Sequence, residues 1–188
     1  MRKILALLSA VSLLSGCQNL LPTSRDKSIQ PWKSFDEAKA SFDRIEPFVT
    51  KLAAVREMGF DPYSTPNMKI LNHAQVVQMV LPQPLYENSV VPPGIHACIQ
   101  AQDACLGYHM EPSRIDRNRV GNFVLDFMNF RRETLTTGWR FGALIVVIGD
   151  TVVHKEWSGT PHIREESVQK NPLGPFQGLG ASSGLYQF

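Results

Sequence analysis

Gly138-Trp139-Arg140-Phe141-Gly142-Ala143-Leu144-Ile145-Val146-Val147-Ile148-Gly149-Asp150 is the stretch on which the fold turns. From Trp139 to Ile148 only Arg140 and Gly142 break the apolar run, and Ile145 to Ile148 are all β-branched. Such a run favours an extended chain and predicts the central strand of a sheet. Gly149-Asp150 reads as a two-residue hairpin turn into a second strand over 151–158, which Gly159-Thr160-Pro161 should stop. Upstream, Phe123, Leu125 and Phe127 alternate with Val124, Asp126 and Met128, a period of two that predicts a third strand. Glu133 to Gly138 is polar and reads as the turn between it and the long strand. Together these make an antiparallel meander.

Helical signals precede the meander. Ser34-Phe35-Asp36-Glu37 has the S-x-x-E form of a capping box, and Phe35, Ala38, Phe42 and Ile45 recur at helical spacing until Glu46-Pro47 ends the pattern. A second short helix is expected after Thr50, with Leu52, Val55 and Met58 on one face and Gly59 as its stop. Asn72 caps a third, with Val76, Val77 and Val80 inward, halted before Pro82. Residues 82–95 hold four prolines and read as a surface loop leading to the cysteines. The predicted fold is therefore α+β, two or three short helices packed on one face of a three-stranded antiparallel β-meander. It forms a single domain over 34–163, with a proline-rich cysteine loop over about 82–120 and a loose C-terminal tail, 164–188.

The N-terminal segment speaks to location. Arg2 and Lys3 precede an apolar stretch over 4–14, and Leu14-Ser15-Gly16-Cys17 resembles the lipobox of bacterial lipoproteins. That resemblance implies a signal peptide over 1–16 and a diacylglycerol on Cys17, usually with a third acyl chain. Two or three chains hold a protein stably on a bilayer. Residues 17–33 then form a tether, and the implied location is the periplasmic face of the outer membrane; Gln18 in place of aspartate fits that sorting. Without residues 1–16 the chain has 17 basic and 17 acidic residues, so no electrostatic argument favours nucleic acid. The expected partners are the membrane, through the lipid, and an envelope protein.

Export past an oxidising machinery favours a disulfide between Cys98 and Cys105, stabilising by about 2.5 kcal/mol on the chain-entropy model. The alternatives are free thiols and a zinc site from His96, Cys98, Cys105 and His109, but the spacing H-x-C-x6-C-x3-H fits no zinc motif. No metal and no cofactor are expected. There is no G-x-S-x-G, H-E-x-x-H, phosphate loop or nucleotide fingerprint, which favours a non-enzymatic protein. The nearest catalytic pair is His154 and Glu156, a base and its orienting carboxylate on one strand face, whose bland reading is a solvated face opposite Val153 and Trp157. Trp139 and Trp157 are candidate interface anchors, and Arg131 with Arg132 a candidate dock for an acidic surface; each has a structural alternative in core or solvated strand end. Arg114, Arg117 and Arg119 around Asp116 form a second charged stretch of the same kind.

Two segments, Ile45-Glu46-Pro47-Phe48-Val49-Thr50 through Met58-Gly59-Phe60-Asp61-Pro62, and Gly138-Trp139-Arg140-Phe141 with the Gly149-Asp150 turn, resemble the SmpA/OmlA family. These are small outer-membrane lipoproteins of the β-barrel assembly machinery, with a fold similar to β-lactamase inhibitor proteins. The resemblance implies a lipid-anchored protein acting in envelope assembly. Residues 82–120 and the tail around Asn171-Pro172-Leu173-Gly174-Pro175 have no counterpart in that family, and no functional residue is carried over. The alternatives are an envelope hydrolase or transferase using His154 and Glu156, or an inhibitor or ligand-binding module using the sheet face.

Overall fold

The computed structural model describes residues 21–81 and 91–178; the expected signal segment and Cys17 lie outside them. Packing divides the chain into two compact units. The larger comprises 26–81, 91–115 and 138–163, the smaller 21–25, 116–137 and 164–178. Among the described residues the strands are β1 (Thr23–Lys27), β2 (Lys69–Asn72), β3 (Cys105–Met110), β4 (Ser113–Val120), β5 (Arg131–Ile148) and β6 (Thr151–Lys170). The helices are α1 (Phe35–Asp43), α2 (Leu52–Glu57), α3 (His73–Val80), α4 (Pro93–Ala101) and α5 (Phe123–Phe127).

The sheet runs β1-β4-β5-β3-β2, with β6 also on β5. β3 pairs antiparallel with the end of β5, Cys105 opposite Ile148 through Met110 opposite Ala143. The next ladder bond along β5 is Phe141 N–H to the Pro112 carbonyl, 2.9 Å. β3 and β4 therefore follow one another along the same edge of β5. β2 pairs outside β3, Lys69 opposite His109.

The expected three-stranded meander with helices on one face is overturned: the sheet has six strands, and in the larger unit helices cover both faces. Trp139, Phe141, Ala143, Ile145 and Val147 pack with Phe35, Phe42, Val55 and Phe60 of α1, α2 and their flanks. Leu144 and Val146 pack with Val76 of α3 and Ile95 and Cys98 of α4. The uninterrupted apolar run follows from this double burial, since a strand covered on both sides has no face to leave polar. Each fully buried side chain of this kind stabilises by about 1.5–3 kcal/mol.

Local signals explain where elements begin. Ser34 Oγ accepts from Glu37 N–H at 3.2 Å, while the Glu37 carboxylate accepts from Lys33 N–H at 2.7 Å, one residue before the usual box partner. Phe35, Ala38, Phe42 and Ile45 are all buried, as their spacing predicts. Asn72 and Gln75 form a reciprocal capping box on α3. Thr50, expected to cap α2, instead accepts from Glu46 N–H at 2.8 Å, and Lys51 occupies the cap with no side-chain bond.

Five further expectations fail, each for a definable reason. Phe123–Phe127 is helix, not strand: Asn122 caps it by accepting from Val124 and Leu125 N–H at 2.9 and 3.2 Å, and Asn129 closes it at φ 58°. Residues 133–138 are strand, because β5 begins at Arg131. β6 passes through Gly159-Thr160-Pro161 to Lys170, which an edge strand permits because proline's missing donor falls on the unpaired side. The cysteine segment holds α4, β3 and β4 in place of a long loop, Pro93 occupying the first turn of α4. Neither end of the described chain is loose: Pro22 accepts from Arg119 N–H at 3.2 Å, and Asn171 N–H donates to Phe130 O at 2.8 Å.

Candidate functional site

On the α3/α4 face of the larger unit a pocket of about 340 Å³ opens over β5. Its floor is Gly142, Ala143 and Leu144, with His109 of β3 and Glu111 just beyond the end of that strand on one side, Glu156, Trp157 and Ser158 from β6 on the other, and Met79 at the end of α3. Gly142 keeps the floor open: a Cβ there would press on the Ser158 hydroxyl. Two histidine–carboxylate pairs flank it, His109 Nε2 to Glu111 Oε1 at 3.8 Å and His154 Nε2 to Glu156 Oε1 at 3.0 Å. Both histidines are largely covered, while Glu111 and Glu156 are exposed toward the opening. Among the described residues no lysine or arginine lines the pocket, so its chemistry is acidic.

β6 delivers His154 and Glu156 to this face through a slip in its alternation. Val152 belongs to the α1/α2 core and Val153 to the α3/α4 core. His154 packs beside Gly94 of α4, on the same side as Val153. Lys155 returns to the first face, donating to the Phe42 carbonyl at 3.1 Å, and the Trp157 ring stacks on Phe141 at 6.3 Å. From Thr151 to Ser158 the chain takes seven steps against six from Ile148 to Gly142, the strand that it meets. One extra residue at Val153-His154 is a β-bulge, a device common where a side chain must be re-aimed. The expected solvated face opposite Val153 is corrected: His154 shares that valine's side and is only 14% exposed.

Other candidates fall elsewhere. Trp139 is buried in the core and is no interface anchor. Trp157 is 49% exposed; its indole faces α1, with the Lys39 ammonium 4.7 Å above the ring. Arg131 is bound to Glu133 at 2.6 Å, and Arg132 Nε is buried with no hydrogen-bond partner among the described residues. In the smaller unit Arg119 donates to the buried carboxylate of Asp126 at 2.9 Å, and Arg25 pairs with Asp116. Cys98 and Cys105 are disulfide-bonded with Cα atoms 5.2 Å apart, within the range such bridges require. Both sulfurs are thereby occupied, and among the described residues no three His, Cys, Asp or Glu side chains converge to hold a metal.

Sequence reading missed His109 and Glu111 as a functional pair. The signal was present in the H-x-E spacing they share with His154 and Glu156, but it acquires meaning only when β3 and β6 flank β5. Lys155, between the second pair, has its pKa lowered by burial. Asp150, in the turn, has its carboxyl held below the ordinary value by the Thr151 hydroxyl and the Lys51 ammonium.

Comparison of the chain with protein-family models, characterised proteins and solved structures returns no match. The resemblance to SmpA/OmlA thus rests on its two segments alone.

Proposed function

We propose that this is a lipid-anchored, non-enzymatic protein of the cell envelope, held by Cys17 at the periplasmic face of the outer membrane. It binds a protein partner by taking a lysine or arginine side chain of that partner between Glu111 and Glu156. The lipobox supports the anchor. The partner reading is carried by one observation: a pocket of about 340 Å³ that presents two exposed carboxylates and, among the described residues, no lining lysine or arginine. A basic side chain entering it would gain charge-assisted hydrogen bonds, each worth about 1.5–3 kcal/mol. The test is photo-crosslinking in cells from a probe replacing Met79, in wild type and in the Glu111→Gln/Glu156→Gln double variant. A discrete crosslinked partner that disappears in the double variant, with folding and export unchanged, is the expected result. A partner captured equally by both proteins would reject the pocket as the binding site.

A hydrolase or transferase is the second reading, favoured by the 3.0 Å His154–Glu156 bond beside the pocket. Ser158 lies four residues beyond His154 on the strand, about 13 Å along the backbone, too far to pair with it as nucleophile and base. An external water would have to serve. That reading requires His154→Gln to abolish function in a folded protein while Glu111→Gln leaves it intact, the reverse of what a two-carboxylate clamp predicts.

A further inference from the structure

The smaller unit carries a concentration of exposed apolar side chains. Of sixteen large apolar residues exposed among the described residues, eight lie in it, although it is much the smaller part of the chain. Val124 and Phe127 project from α5, Phe127 being 74% exposed, and Phe176, 67% exposed, follows the buried Asn171. The end of α5 and the 171–176 segment adjoin: Asn171 donates to Phe130 O and, at 3.0 Å, to Asn129 Oδ1, and Gly174 sits so close to the Phe130 ring that a Cβ would touch it. Exposed patches of this kind mark interaction surfaces.

Chain length says what covers it. Leu21 is buried, and Pro22 is hydrogen-bonded to Arg119 within the same unit. Cys17 is four residues from Leu21, so its sulfur-linked lipid begins within about 14 Å of this unit's packed chain. The unit also has seven basic against five acidic residues among its described positions, so it carries no net negative charge to repel anionic headgroups.

We infer that the patch formed by Val124, Phe127, Phe130, Leu173 and Phe176 is a membrane-contacting face that inserts into the headgroup and upper acyl region of the bilayer holding the lipid. This rests on the lipid-anchor reading above. The acyl chains give the affinity; the patch fixes how the smaller unit meets the bilayer, as interfacial apolar faces do.

The experiment reconstitutes the acylated full mature chain into phosphatidylethanolamine vesicles with a minor anionic lipid. An environment-sensitive fluorophore is attached at Phe127→Cys or at Phe176→Cys, both exposed enough for the fold to tolerate, and emission is read with and without nitroxide-labelled acyl chains. Mass spectrometry of the N-terminal peptide reports acylation in the same samples. Expected are acylation, a blue shift at both positions and loss of most of the emission to the nitroxides. Acylated protein whose probes stay unshifted and unquenched overturns the membrane face and leaves the anchor standing. Unacylated protein that neither pellets with vesicles nor is quenched rejects both, whereas unacylated protein that is still quenched rejects the anchor and retains the face.

Discussion

Arg119 and Asp126 show how much can rest on one pair. Asp126 is 4% exposed and one of its carboxylate oxygens accepts from the Arg119 guanidinium, while the other has no hydrogen-bond partner among the described residues. Replacing the arginine leaves an uncompensated buried charge, so Arg119→Met should cost about 3–5 kcal/mol, read as a lower urea midpoint. Gly94 is a second sensitive position. A Cβ there would overlap the Val153 carbonyl and press on His154, and overpacking of this kind costs about 1–3 kcal/mol; Gly94→Ala should lower the melting temperature, and a neutral result would mean that α4 is not seated on the bulge. Asp150 gives a pH signature. Because its folded pKa lies below the ordinary 3.8, its contribution is present above that pH and lost as pH falls through the folded value. Asp150→Asn should accordingly lower stability slightly near neutrality, leave it unchanged at the acid end where that contribution is already lost, and so flatten the fall in stability below pH 3.8.

Elements were legible where a local signal decided them. Ser34, Glu37 and Asn72 are caps whose chemistry acts within a few residues, and α1 and α3 start beside them. Over Phe123–Phe127 the alternation of apolar residues points to a strand, but Asn122 and Asn129, the two residues that start and stop α5, decide the conformation. Removing the cap tests this ordering: Asn122→Ala should cost about 1 kcal/mol, detectable by denaturation, and no change would mean that tertiary packing alone holds the helix. The ends of β5 and β6 were not legible, since pairing between strands, not their own composition, lets 133–138 and 159–163 stay extended. The pocket was half legible. His154 and Glu156 could be placed on one strand face, but their common side with Val153 depends on a bulge, and their partners, His109 on β3 and Glu111 just past its end, lie about 45 residues earlier in the chain.

For the molecule as a whole, the apolar run of β5 predicted a central strand correctly and the number of layers incorrectly. Composition reports that both faces of a strand avoid water; it does not report which helices supply the cover. In the larger unit the Ile145–Val147 segment is buried from both sides and paired along one edge with β3, so its amides should open only with global unfolding. Hydrogen exchange should find them the slowest in that unit, and protection lower than that of α2 would contradict this packing. β6 presents the opposite situation. Past Val152 its outer edge carries no strand among the described residues, a long row of backbone groups that in most proteins invites pairing with another chain. Pro161 interrupts the row of donors and Arg164, Glu165, Glu166 and Lys170 charge its far stretch, so a proline that only an edge strand tolerates joins these charges in protecting the folded chain against edge-to-edge aggregation.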